Sequence, residues 1–252
     1  MSSDFSIKDK NLKKLDRKLQ SIIDRIGFDI KTEDEVFDKF TLKILEKLIS
    51  HKIIDYLDFP ISTGKEGNVF RAITPEKKFL AIKIYRTSNA TFKHISKYII
   101  GDPRFNSIRK AKKDIIFAWT KKEYKNLQRL KEINISAPKP ITYKNNVLVI
   151  EYLGYNNRAA PILKDVKIEK PREIFEKIIS FIKKMYTEAD LVHSDLSEYN
   201  ILYFNKEPYL IDMGQAVLLE HPNSDEFLIR DIKNLVNYFN KYNLNIDKEK
   251  IY

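Results

Sequence analysis

The sequence predicts an α+β chain of two lobes, on three observations. Short apolar and β-branched runs crowd the stretch from Phe59 to Tyr85. Long amphipathic helices come later, at 110–131, 172–189 and 225–239. Between the last two, a polar group running from His193 to Asn200 and then to Asp212 wraps around a hairpin. A chain of 252 residues holds one such unit, or one unit and a small N-terminal module.

The elements follow in order. Leu12, Leu15, Leu19, Ile22, Ile23 and Ile26 recur at helical spacing, and residues 34–57 repeat the pattern, so two helices are expected before the first strand. Ile61, Val69–Ile73 and Phe79–Tyr85 are strand-like runs broken by turn residues. Ser88 to Arg109 is polar and mixed, and reads as a long loop of the kind that is usually functional or mobile. A helix over 110–131 and a strand over Val147–Tyr152 follow, then a helix over Arg172–Ala189 with Ile174, Ile178, Ile182 and Met185 inward. Ile201–Phe204 and Tyr209–Ile211 form a hairpin, and a last helix runs from about Asp225 to Phe239. The resulting division is an N-terminal helical extension (1–57), a small β-rich lobe (58–150) and a helical lobe (151–252).

Composition removes several classes of function. There is no cysteine, so disulfides and thiolate metal sites are excluded. No apolar run approaches the length of a membrane span, and Met1 to Gln20 has no apolar core of the signal-peptide type. A cytoplasmic protein without membrane contact is expected. The net charge is +11, from 46 Lys and Arg against 35 Asp and Glu. That surplus favours polyanionic partners, and it equally suits a lysine- and glutamate-rich solvated surface.

The motif with most chemical content is His193-Ser194-Asp195-Leu196-Ser197-Glu198-Tyr199-Asn200, followed by Leu210-Ile211-Asp212. Phosphoryl transfer needs hard oxygen ligands for Mg²⁺ and a carboxylate that orients the incoming hydroxyl. Asn200 and Asp212 supply the first and Asp195 the second, in the order of a kinase catalytic loop and its metal aspartate. Ser62-Thr63-Gly64-Lys65-Glu66-Gly67-Asn68-Val69 lies between two strands. Gly64, Gly67 and Val69 fit a phosphate-covering loop, with Ser62 where its first glycine would stand. Lys83 follows Val69 on the next strand, with Ile82 and Ile84 on the opposite face. It is placed to contact phosphates. Glu123 falls on the apolar stripe Ile115, Trp119, Leu127, Leu130. A carboxylate there needs a partner, and a Lys83–Glu123 ion pair meets both requirements. Leu148 to Gly154 reads as an interlobe hinge, whose Glu151 carbonyl and Leu153 amide would bond adenine beside Ile150.

Taken together, these segments resemble the Rio family of atypical serine kinases, in particular its Rio-one subfamily of archaeal type. The resemblance rests on residues 62–69, on 193–200, on Ile211-Asp212-Met213-Gly214-Gln215-Ala216-Val217, on Phe92 to Arg109 and on Glu226 to Asp231. It covers roughly 34–240. Gly67 stands where alanine is common, and Ser194 where alanine or glycine is common. The resemblance implies a protein-kinase-like fold that takes ATP and Mg²⁺, with Mn²⁺ able to stand in. It also implies autophosphorylation, a place in small-ribosomal-subunit maturation, and an ATPase cycle through a phosphorylated aspartate at Asp212. Only about a dozen residues separate Asp212 from the last helix, which leaves little platform for a protein substrate. Basic residues crowd 93–125, including Lys93, Arg104, Lys121, Lys122 and Lys125, and ribosomal RNA is the expected partner of that face.

Two other functions compete. A small-molecule kinase of the aminoglycoside type shares the His-x-Asp motif, but about forty residues between Leu153 and His193 leave little room for its helical substrate region. A non-catalytic RNA-binding assembly factor would not need Lys83, Asp195, Asn200 and Asp212 together.

Overall fold

A computed structural model describes residues 37–87, 95, 98, 99, 102–105, 111–156, 158–244 and 246. The expected helix Leu12–Ile26 lies outside them. The first described helix, α1 (Lys39–Ser50), is started by Asp38, whose side chain accepts from the Thr41 N–H at 2.7 Å. Then come β1 (Tyr56–Thr63), β2 (Gly67–Ile73) and β3 (Phe79–Tyr85). The long helix α2 (Lys112–Glu132) precedes β4 (Pro140–Lys144) and β5 (Val147–Glu151). These five strands make one antiparallel sheet in the order β1-β2-β3-β5-β4.

Alternation along the strands gives the sheet two different faces. Phe70, Ala72, Ile82, Ile84, Val147 and Val149 point one way and pack beneath Leu42, Leu45 and Leu48 of α1. Asn146, buried in the β4–β5 turn, donates to Thr41 Oγ1 at 2.9 Å and to the Tyr85 carbonyl at 3.0 Å, tying α1 to the sheet. The residues between them, Val69, Ala81, Lys83 and Ile150, face a cleft. Lys83 therefore owes its position to register: it is the odd member of a run whose even members are core.

The second half begins with two short strands, β6 (Gly154–Tyr155) and β7 (Arg158–Ala159), which pair with each other. Pro171 opens α3 (Pro171–Ala189), and Asp190 ends it in the left-handed conformation, φ 50°. Next are β8 (Leu191–Val192), β9 (Ile201–Phe204), β10 (Glu207–Leu210), β11 (Val217–Leu218) and α4 (Ser224–Phe239). The β9–β10 hairpin turns at Asn205-Lys206, both with positive φ, as a two-residue turn of the right twist requires. Its second strand is Glu207–Leu210, so Ile211 lies just past the strand rather than in it. Ile178, Ile182 and Met185 of α3, Leu235 and Phe239 of α4, and Leu130 of α2 share one apolar core. Each such fully buried side chain contributes about 1.5–3 kcal/mol.

Of the stretch 88–109, expected as a loop, only Ile95, Tyr98, Ile99 and residues 102–105 are among the described residues, and these depart from that expectation. Ile95, Tyr98 and Ile99 are helical and buried, and Pro103–Phe105 forms a short 3₁₀ turn. The three apolar side chains join Trp119 of α2 and Phe227 of α4 in a separate core cluster. At these three positions apolar spacing of three and four residues prevails over the polar composition around them.

Candidate active site

The two loops of interest are fixed at both ends. β8 pairs with β11, Val192 opposite Val217 and Leu191 opposite Leu218. The 193–200 loop leaves one of these strands, and the 211–216 loop enters the other. His193 Nε2 lies 2.9 Å from the Ile211 carbonyl, and the Ile211 N–H donates to the Asn200 carbonyl at 3.0 Å. Burial pushes the His193 pKa down, so the ring is neutral and its Nε2–H donates to Ile211. These bonds set Asn200 beside Asp212.

Asp195 and Asn200 are joined directly. Asn200 Nδ2 donates to the Asp195 carbonyl at 2.8 Å and to Asp195 Oδ2 at 3.1 Å. The loop holding Asp195 is anchored from below by Asp231 of α4. Its two carboxylate oxygens accept from the Ser194 and Leu196 N–H groups, each at 2.8 Å. Arg230 donates to the Ser194 carbonyl. Burial pushes the Asp231 pKa up to about 7, against the pull of the two N–H donors. Ser194 has a φ of 70°, and that strained turn is held from both sides.

Lys83, Glu123 and Asp212 form the charged centre. Lys83 Nζ donates to Glu123 Oε1 at 3.0 Å and also pairs with Asp212. Glu123 is 2% exposed, and burial raises its pKa to about 7 despite the nearby ammonium. Burial opposes the charge on Lys83, but Asp212 and Glu123 outweigh it and hold the group protonated. The Lys83 charge holds the Asp212 pKa below the ordinary carboxylate value. The Asp212 side chain remains 43% exposed, so it is an ionised carboxylate that a ligand can reach.

These residues line one wall of a cleft of about 550 Å³. Val69 and Ala81 form its upper side, and Leu202 and Ile211 its lower side, an apolar slot of the kind that takes a flat ring. Ser62, Glu151 and Leu153 line it as well. The Leu153 carbonyl accepts from the Ala160 N–H at 2.9 Å, while its own N–H has no acceptor among the described residues. Gly64 and Lys65 sit in the exposed β1–β2 turn and do not line the cleft, and Glu66 is half-buried there. Glu66 acts on the centre through its charge, which adds to the field at Lys83 and Glu123. A Cβ on Gly67 would lie 2.2 Å from the Ile84 carbonyl oxygen, so close strand pairing also explains that glycine.

Sequence reasoning did not find the support beneath Asp212. Asn126, one turn beyond Glu123 on α2, donates to the Met213 and Ala216 carbonyls at 2.7 and 3.1 Å. Arg104 Nη1 donates to Asn126 Oδ1 at 2.8 Å, and Arg104 is itself paired with the buried Asp102. Asp212 has a φ of 62°, and a Cβ on Gly214 would touch the Trp119 indole at 2.9 Å. Helix α2 therefore grips the segment from Met213 to Ala216 through the Asn126 amide, while Lys83 bridges Glu123 of the same helix to Asp212. Lys122, counted above with the basic face, is buried at 1% and donates to the Tyr98 and Gln215 carbonyls. Lys93 and the other basic residues outside the described range have no structural account.

Comparison with known proteins agrees with this geometry. Residues 68–251 match the model of the RIO domain. The chain is 40% identical over 222 residues to the RIO-type serine/threonine-protein kinase Rio1 of Haloferax volcanii, covering 88% of this chain and 76% of that one. It is 42% identical to the Methanocaldococcus jannaschii protein of the same name, covering 89% and 77%. For the Thermoplasma acidophilum protein the identity is 45%, covering 73% and 96%. Among solved structures, a Rio2 kinase-ADP/Mg²⁺-phosphoaspartate complex from Chaetomium thermophilum superposes with a TM-score of 0.66. It is 17% identical, covering 86% of this chain and 66% of that one, and shows that the two share the two-lobed kinase-like fold. The chain belongs to the RIO family of atypical serine/threonine-protein kinases.

Proposed function

We propose that the chain is an ATP- and Mg²⁺-dependent phosphotransferase acting in maturation of the small ribosomal subunit. The observation that carries this reading is Lys83, shared between buried Glu123 and ionised, accessible Asp212 on the wall of a nucleotide-sized cleft. The apolar slot suits adenine, with the Leu153 N–H, which has no acceptor among the described residues, as donor to it and the Glu151 carbonyl as second partner. Lys83 neutralises phosphate oxygens, and Ser62 offers them a hydroxyl. Asp195 accepts the proton of an attacking serine hydroxyl as its oxygen bonds to the γ-phosphorus and the bond to ADP breaks.

The residues present suit Mg²⁺. Asp212 is ionised, and Asn200 spends its Nδ2 on Asp195, which leaves Oδ1 without a partner among the described residues. Mg²⁺ commonly takes one or two protein oxygens and completes its shell with phosphate and water. When bound there, it supplies charge neutralisation across the phosphates. Mn²⁺ would fit the same oxygens.

In an ATPase cycle, an Asp212 carboxylate oxygen accepts the γ-phosphoryl group, ADP departs, and water then cleaves the acyl phosphate to inorganic phosphate. The short run from Asp212 to α4 supports this cycle over phosphorylation of a docked protein. The ribosomal placement is supported by the family resemblance and by the net charge of +11; the cytoplasmic setting is supported by the absence of cysteine. The test is incubation with γ-labelled ATP and Mg²⁺, with aliquots treated with hydroxylamine. A hydroxylamine-labile label that disappears in Asp212→Asn is the expected result for the ATPase cycle. A stable serine label lost in Asp195→Ala assigns conventional kinase chemistry. The absence of both label and ATP turnover would sink the enzymatic reading and leave an RNA-binding factor.

A further inference from the structure

A second cleft, of about 800 Å³, opens on the opposite side of α2 from Glu123 and is larger than the nucleotide cleft. Its walls come from α2, from the 3₁₀ turn at Pro103–Phe105 and from the β4–β5 turn. Its charges are Arg104, Lys121, Lys122, Lys125 and Arg129, against Asp114 alone. These cations are not equivalent. Arg104 is offset by Asp102, Lys122 is buried, and Arg129 spends Nη1 on the Ala189 carbonyl. Lys121 and Lys125 are exposed and have no carboxylate partner among the described residues. Between the charges lie aromatic faces, Phe105, Phe117 and Tyr143, all half-buried.

Exposed cations without carboxylates, set among partly covered rings, are what a nucleotide unit requires: phosphate on the ammonium groups and base on a ring. We propose that this cleft is a second binding site, for nucleotide units of a single-stranded RNA, with Lys121 and Lys125 on the phosphates and Tyr143 under a base. The proposal rests on the RNA-contact part of the function proposed above, and gives that contact a place. It also gives the contact a route to the chemistry. Arg104, in the cleft wall, donates to Asn126, and Asn126 holds the Met213 and Ala216 carbonyls just beyond Asp212.

The test is fluorescence anisotropy of a labelled oligouridylate, with saturating ADP blocking the first cleft. The variants are Lys121→Glu with Lys125→Glu, Tyr143→Leu, and a charge-matched control, Lys47→Glu with Lys183→Glu, at exposed positions elsewhere. The lysine pair is expected to weaken binding by about tenfold or more and to lower the salt slope by roughly 1.4, at about 0.7 per phosphate contact. Tyr143→Leu weakens it several-fold, and the control changes little. Uridine monophosphate competing as well as the oligomer would make the free nucleotide the source and still support the site. RNA binding unchanged in the lysine pair would overturn the cleft while leaving RNA contact elsewhere standing; no RNA binding by the unmodified protein would remove both. A polyglutamate peptide that binds as tightly as the oligomer would overturn the nucleotide chemistry.

Discussion

Asp212→Asn is expected to lower ATP turnover on the order of 10³-fold, in line with the loss of one preorganised charge-stabilising group. The variant removes a carboxylate that is ionised because Lys83 lies against it. It leaves the shape of the site alone. Asp212 has a φ of 62°, and asparagine is among the few residues that adopt this conformation readily. The carboxylate is 43% exposed, so losing its ion pair costs about 1 kcal/mol or less. Lys83 keeps Glu123 as a partner. Steady-state ATPase rates and a thermal melt on the same samples check the pair of expectations: a large kinetic loss with a nearly unchanged Tm. Turnover within tenfold of the unmodified protein would show that Asp212 does not take part in the chemistry.

The second large effect is expected from Asp231→Ala, at a residue that touches no ligand. Removing its carboxylate strands two buried N–H donors, those of Ser194 and Leu196. Each costs about 1–3 kcal/mol when left unsatisfied. The loss falls on the turn that carries Asp195 between those two residues, where Ser194 already has a φ of 70°. Stability and turnover should therefore fall together, with turnover down at least about tenfold at temperatures where the fold survives, since misplacing a catalytic group by about 1 Å can cost 10²-fold. Asp231→Asn keeps one acceptor oxygen and should recover part of both. Denaturant melts with rates measured well below the midpoint separate the two effects. An alanine variant that melts lower but turns over normally would make Asp231 a purely structural anchor.

Asp231 also shows where the sequence was legible and where it was not. Glu123 stands out because it falls on the apolar stripe of α2, and the structure places it 2% exposed against Lys83. Asp231 sits on the buried face of α4 between Phe227 and Leu235, and is 1% exposed. The same argument from a carboxylate on an apolar face applies to it, but its partners are backbone N–H groups, which carry no signature in a sequence. Asn126 is hidden for the same reason, since it bonds carbonyls. Strand β4 is weakly marked because Pro140 opens it and Ile141 is exposed at 47%. Lys122 reads as one more surface lysine, and only the packing of Tyr98 and Trp119 around it shows that it is buried. The face of Lys83, by contrast, is legible from alternation, because Ile82 and Ile84 must point into the core beneath α1, and its role from its place after the 62–69 loop and from the need of Glu123 for a partner.

The claim on which the rest depends is that the interlobe cleft binds the phosphates of ATP through Lys83. Isothermal titration of ATP with Mg²⁺ into the unmodified protein and into Lys83→Met tests it most directly. Glu123, already near neutrality at a pKa of about 7, can protonate when its partner is lost, so the variant should fold. Saturable binding of ATP, weakened by about tenfold or more in Lys83→Met, is the predicted result, since a charge-assisted contact of about 1.5–3 kcal/mol is lost. Equal affinity in the two proteins would contradict it and place the nucleotide elsewhere.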